Sequence, residues 1–474
     1  MSVQETPTEL WGGETTKAVA NFPVSGERVP LPVVRWLGRI KGNAARVNAE
    51  LGLLDAELAD KIAAAGDEIA EGKHDAQFPI DVFQTGSGTS SNMNSNEVIA
   101  TLSGAHPNDH VNMGQSSNDV FPSAVHLAAL DEATNTLLPA LAQLEASFAA
   151  KAEAYKDIVK SGRTHLMDAV PVTLGQEFAG YAAQIRLGQK RIANALPQVA
   201  QIPLGGTATG TGLNTHPEFA AKVREKLAAD TGLAISAPLD PFEAQGNRDA
   251  LVELSGAMKV VAVSLTKIAN DLALMGSGPR AGIGELYLPE LQKGSSIMPG
   301  KVNPVIPEVV LQVAAQVIGN DTAVTIGGMQ GQFELNVRVP LMARNVLQSI
   351  HLLATASTAL AEKVVDGVAV NKDGTDRSAA ATLAVATALN EHIGYDKATT
   401  IVQKASKSGR MLRDVALEEG VDAELYDRVV DLRRIAAGSQ ADAQTDGKPS
   451  RPRRSSGSSN GAGARRRRTQ RASA

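Results

Sequence analysis

The segment Gly294–Pro304 reads GSSIMPGKVNP and places two hydroxyls (Ser295, Ser296), one ammonium (Lys301) and one carboxamide (Asn303) within eleven residues. Gly294 and Gly300 permit backbone angles that other residues resist, so the segment can fold over a bound molecule and reopen. Lys301 and Asn303 stand two residues apart, just before Pro304 and a predicted helix start. A cation, an amide donor and main-chain N–H groups at a helix N-terminus suit an anion, above all a carboxylate whose charge grows during reaction.

Three further segments are too rich in small polar side chains to be ordinary connectors: Gly86–Asn94 (GSGTSSNMN), Gln115–Asp119 (QSSND) and Gly162–Asp168 (GRTHLMD). Serine, threonine and asparagine offer neutral donors that hold a carboxylate without burying an ion pair. Each segment alone reads as a turn with a helix cap. Their coincidence with the Gly294–Pro304 string turns them into candidate ligand contacts. His165 adds a group that exchanges a proton near neutral pH.

The Gly294–Pro304 string resembles the signature loop of the fumarase/aspartase superfamily, whose members eliminate a group from succinyl-type substrates and release fumarate. The resemblance implies that Ser295 is the base taking a proton next to a carboxylate, and that Ser296, Lys301 and Asn303 bind that carboxylate. It further implies that Ser87, Thr89, Ser116, Ser117, Asn118 and Thr164 meet around one dicarboxylate. Thr164-His165 resembles the fumarase pair, where aspartate ammonia-lyases carry glutamine, and the family couples this histidine to a glutamate matching Glu308. HPND (His106 to Asp109), GQFELNV (Gly331 to Val337) and IGYDKA (Ile393 to Ala398) also resemble class II fumarases, in family order, over about Leu10 to Ala437.

That family implies reversible hydration of fumarate to (S)-malate in the citric acid cycle, through a carbanion held as an aci-carboxylate. It implies no cofactor and no metal. It also implies an all-α fold of three domains, with a central bundle of long helices forming the core of a homotetramer and each site built from three subunits. The expected division is 1–115, a central bundle 116–372, a small helical domain 373–440 and a basic tail 441–474. His106, Asn108 and Asp109 match a candidate second dicarboxylate site, although only Ser103-Gly104-Ala105 precedes it where many relatives have a longer basic segment. An aspartate ammonia-lyase shares the signature loop, but His165 and GQFELNV speak against it. A non-catalytic binding protein on the same scaffold would not need Ser295, Lys301, Asn303 and His165 intact.

The elements that must carry these segments are helical. Leu251, Leu254, Met258, Val261, Leu265, Ile268 and Leu272 follow a 3-4 spacing that predicts one buried seam over 250–275. Val260, Val263, Leu274 and Met275 lie off that seam and predict burial on a second side. Leu137, Leu141, Leu144 and Phe148 repeat the pattern, as do Tyr181, Ile185, Ile192 and Leu196, then Val310, Val313 and Val317. No run of alternating strands with hairpin turns is expected among them. Long helices with several apolar faces favour a bundle that other subunits cover.

Composition sets outer limits. The 474 residues suffice for about two to four domains. With no cysteine, the chain forms no disulfide, thiolate zinc site or cysteine-ligated iron–sulfur cluster, which excludes the unrelated class I fumarases. The start MSVQETPTELWGG lacks a signal-peptide pattern, no apolar run is expected to reach the roughly 18–20 residues that span a bilayer, and the expectation is a cytoplasmic protein. Charge is uneven: Gly447 to Ala474 carries nine basic residues and no acid, leaving −14 on residues 1–446. This Gly/Ser/Ala/Pro-rich tail is read as a solvated extension without a catalytic role, and the acidic body argues against nucleic acid as the main partner.

Overall fold

The structure, a computed structural model, describes residues Glu9–Gly438; the basic tail 441–474 lies outside the described residues. Among the described residues two compact units emerge, one of residues 9–162 with 173–382 and one of residues 163–172 with 383–438.

Five long helices form the centre of the first unit: Leu138–Ala154, Leu174–Val199, Asp249–Met275, Val305–Gly328 and Val339–Leu360. Asp249–Met275 packs against both Leu174–Val199 and Val305–Gly328, which in turn packs on Val339–Leu360. All seven residues of the predicted seam are at most 1% exposed, and at about 1.5–3 kcal/mol per buried side chain they make this helix a principal source of stability. Leu137, Leu141, Leu144, Phe148, Ile185, Ile192, Val310 and Val317 are buried as their spacing predicts. Off the seam, Met275 is buried, but Val260, Val263 and Leu274 are 37%, 56% and 40% exposed.

Two expectations need correction. Val305–Gly328 is long and apolar enough, by length and composition, to cross a membrane, with 33% of its most apolar window buried. Two of its polar residues, Asn320 and Asp321, are nevertheless buried against the bundle. Asp321 accepts from Ser255 Oγ (2.8 Å) and Lys259 Nζ (2.6 Å), and Asn320 Nδ2 donates to Gln348 Oε1 (3.0 Å) and Ser349 Oγ (3.1 Å). The second correction is a β-hairpin among the helices, formed by strands Val159–Thr164 and Met167–Thr173. In Met167–Thr173 the valines Val170 and Val172 stand beside Ala169 and Pro171, so no clean polar–apolar alternation marks the strand, and the run is too short to stand out beside long helical periods.

The second unit has its own small core, in which Val385, Leu389, Ile401, Leu412, Val415 and Tyr426 are buried among short helices such as Tyr395–Ser408 and Leu412–Glu418.

Candidate active site

Within the signature loop, Ser295 Oγ accepts main-chain N–H bonds from Ile297 (3.1 Å) and Met298 (3.0 Å). Two N–H dipoles on one hydroxyl oxygen favour its anionic form, which is what a serine base requires. The loop closes on itself. Gly294 N donates to Lys301 O at 3.1 Å, and Asn303 Nδ2 donates to Gly294 O at 2.7 Å. One amide hydrogen of Asn303 therefore braces the loop, leaving its other hydrogen and its oxygen for a ligand. Only Gly300 serves through its backbone angle, with φ +74° and open space where a Cβ would stand. Gly294 serves through close approach instead, since a Cβ there would lie 2.0 Å from Lys301 O. Ser296 and Lys301 are exposed, as is Glu308 in the first turn of Val305–Gly328.

Two other predicted segments come together. Ser87 Oγ and Thr89 Oγ1 lie 2.8 Å apart at the start of helix Thr89–Ser103, whose N-cap Gly88 has φ +78°. A Cβ on Gly88 would meet the Phe121 ring at 2.1 Å, which seats this turn on helix Ser117–Glu132. Ser116 caps that helix reciprocally with Asp119. Asn92 Nδ2 reaches across to Ser117 Oγ at 3.0 Å. The end of GQFELNV adjoins the same place, because Val339 N donates to Gly86 O at 3.0 Å and a Cβ on Gly86 would strike Val337 O. Among the described residues, no hydrogen bond joins the signature loop to either segment.

Two buried ionisable groups flank Gln115–Asn118: Asp119, the last residue of the QSSND segment, and Lys41, which no sequence pattern marks. The Asp119 carboxylate is fully buried and accepts from the N–H groups of Ser116 (2.8 Å), Gly205 (2.9 Å) and Thr207 (3.0 Å). Burial raises its pKa to about 6 against the pull of those donors. On the other side Lys41, 0% exposed, is pulled down to about 7 by burial, with the Asp119 charge opposing. The Gly205–Thr207 turn that Asp119 holds is strained: Thr207 is β-branched yet has φ +54°. Asn118 Nδ2 donates to Ala208 O at 3.0 Å, so this loop belongs to the same wall of the site. Its four glycines (Gly205, Gly206, Gly210, Gly212) were the sequence signal that could have found it.

Thr164 and His165 lie in the second unit. His165 and Leu166 form the two-residue turn of the hairpin with φ +55° and +60°, the signs of a type I′ turn. His165 therefore sits at an exposed tip rather than ahead of an apolar helix, in backbone that costs a non-glycine residue roughly 1 kcal/mol or more.

His106, Asn108 and Asp109 are exposed on the turn at Pro107–Val111. His106 Nδ1 accepts from Asp109 N at 3.0 Å, so this nitrogen works as a cap. Among the described residues, no group of three or more His, Cys, Asp or Glu side chains is placed to hold a metal ion.

Comparison with known proteins agrees with these features. A family profile described as lyase matches residues 1–319, and one described as fumarase C C-terminus matches residues 385–437. The chain is 56% identical to a class II fumarate hydratase of Corynebacterium efficiens, covering 88% of this chain and 89% of that one. It is 52% identical to the Mycobacterium tuberculosis class II fumarate hydratase, covering 92% and 94%. A crystal structure of class II fumarase from Schistosoma mansoni superposes with TM-score 0.88 at 36% identity, covering 91% and 96%. A fumarate lyase:delta crystallin from Brucella melitensis bound to cobalt gives TM-score 0.88 at 43% identity, covering 91% and 97%. With a closed serine-bearing loop, hydroxyl-rich helix starts and a histidine-tipped hairpin on this scaffold, the chain belongs to the class II fumarate hydratase family.

Proposed function

We propose that this chain interconverts fumarate and (S)-malate by adding or removing water, with Ser295, His165 and Glu308 as its catalytic residues. The observation that carries the reading is the Ser295 oxygen receiving two main-chain N–H groups inside a loop closed by its own glycine. An unaided serine is a poor base; an oxygen already facing two donors becomes one at lower cost.

In this reading Ser295 takes the C3 proton of malate. The carbanion is then stabilised as a dianionic aci-carboxylate by Lys301, by the remaining donor of Asn303, by Ser296 and by loop N–H groups. His165, acting through a water with Glu308 behind it, protonates the departing hydroxide. Ser87, Thr89, Ser116, Ser117, Asn118 and Thr164 orient the two carboxylates, which supplies the positioning part of the rate enhancement. His106, Asn108 and Asp109 are proposed as a second dicarboxylate site.

The sites are proposed to be shared in a homotetramer. Val260, Val263 and Leu274 on Asp249–Met275, with Val309, Ile318 and Ile326 on Val305–Gly328, leave apolar stripes on the central helices that copies of the chain would cover. The Ser116–Asn118, Thr164–His165 and Ser295–Asn303 segments would then come from three different chains at each site. Ultraviolet absorbance of fumarate, followed with malate and then aspartate offered to purified protein, tests the reaction. Fumarate from malate alone supports it, whereas fumarate from aspartate or from neither overturns it.

A further inference from the structure

Lys41 lies on the buried face of helix Leu31–Glu50, along a stripe with Leu37, Ala44 and Asn48, where an apolar residue would ordinarily stand. Its ammonium donates to Asn112 Oδ1 (3.2 Å) and Gln115 Oε1 (3.1 Å), and to no carboxylate among the described residues. Burying a cation against two neutral amides is expensive, and a methionine there would pack as well. On the neighbouring elements, Asp67 is paired with Arg46 and Asp230 accepts from Asn43, so Asp119 is the carboxylate whose charge acts on Lys41. Fold stability gives no reason for this lysine, but the direction of the hydrogen bonds around it does.

An ammonium only donates. It therefore fixes Asn112 and Gln115 with their oxygens toward Lys41 and their NH2 groups away. The Asn112 amide then donates to Gln115 O (3.1 Å), and the Gln115 amide donates to Val111 O (3.1 Å). Asn112 Oδ1 also accepts from Asn92 Nδ2 (3.2 Å), which holds the Asn92 amide group in place to donate to Ser117 Oγ (3.0 Å). A serine oxygen that accepts one bond keeps its own O–H for another partner. We propose that Lys41 is a positioning residue that, through Asn112 and Asn92, polarises Ser117 so that its hydroxyl donates to a substrate carboxylate. Among the described residues the buried Asn92 Oδ1 has no partner of its own, so its retention is explained by what the NH2 end does. This inference rests on the assignment of Ser117 to the dicarboxylate site.

The test uses the full-length protein and the malate-to-fumarate assay. Lys41→Met should stay folded by circular dichroism and raise KM for malate about tenfold, as expected for loss of one oriented donor worth about 1.4 kcal/mol, with a smaller change in kcat. Lys41→Arg, still a cation that only donates, should recover most of the loss. In a Ser117→Ala background the Lys41→Met change should add little, because the relay then has nothing to orient. Asn92→Asp removes the donor to Ser117 while leaving Lys41 in place, and it should reproduce the KM defect even if Lys41→Met fails to fold. A folded Lys41→Met or Asn92→Asp enzyme with wild-type KM overturns the relay, as does an undiminished Lys41→Met penalty in the Ser117→Ala background. Absence of malate dehydration by the unsubstituted protein overturns the functional reading instead.

Discussion

The two glycines of the signature loop should respond unequally, and for different reasons, to the same substitution. In Gly294→Ala the new methyl would stand 2.0 Å from Lys301 O and 3.3 Å from Asn303 N, both main-chain atoms that cannot swing aside. The loop must open, losing the Gly294–Lys301 main-chain bond and the Asn303 amide bond to Gly294 O. At about 1 kcal/mol each, plus the overlap itself, the closed loop loses roughly 3 kcal/mol, which corresponds to a fall in kcat/KM on the order of 100-fold. In Gly300→Ala the methyl meets open space, and the cost is the left-handed backbone at φ +74°, about 1–2 kcal/mol or roughly 5- to 30-fold. Initial rates of malate dehydration measure both effects. Thermal melts should barely move, since most of the loop is exposed and carries little of the core. Near-wild-type rates for Gly294→Ala, or an equal loss for Gly300→Ala, would refute the argument from close approach.

Ser295→Ala should lower kcat by several orders of magnitude while dicarboxylate binding survives, because it removes the proton acceptor and leaves the carboxylate ligands; a binding titration beside the rate assay checks this. Inactive Ser295→Ala and His165→Asn proteins, dissociated and reassembled together, should recover activity at sites that draw both intact segments from different chains, and no recovery despite proven subunit exchange counts against shared sites. Activity should survive chelator treatment and exposure to air, and its loss to EDTA with rescue by a divalent ion would overturn the metal-free chemistry. Lys41, lowered to about 7 in the fold against 10.5 free, is protonated more readily in the unfolded chain, so its charge weakens the fold below pH 7 and that loss is relieved as pH rises toward about 10. The melting temperature of wild type relative to Lys41→Met should accordingly climb between pH 7 and 10, and a pH-independent difference would refute the sign.

Much of this protein was legible in its residues because their signals are local. The seam from Leu251 to Leu272 announces its helix by a period that any neighbour of the right shape can satisfy, and its observed bounds, Asp249–Met275, differ from the expected ones by a single residue. The Gly294–Pro304 string exposes its chemistry through residue types alone, since a carboxylate ligand set needs donors and a cation at short spacing. The hairpin under His165 did not declare itself, because its turn is His-Leu rather than the Asn-Gly that usually marks positive φ at two successive residues. Its geometry is held by the pairing of its strands, not by the intrinsic preference of the turn.

What the tertiary structure alone decided is the environment of each functional atom. The resemblance to the family implied Ser295 as a base, but the N–H groups of Ile297 and Met298 that its oxygen accepts are set by how the loop closes. Gly294 and Gly300 look alike in sequence, yet one is required by a carbonyl seven residues away and the other by its own dihedral. Lys41 and Asn112 stand 71 residues apart, and the lysine's place on an otherwise apolar stripe reads as an anomaly until the fold brings the two together. Periodicity and residue chemistry act over a few residues and are written in order along the chain. Hydrogen-bond direction, burial and strain depend on atoms that become neighbours only when distant segments pack, and those were decided by the fold.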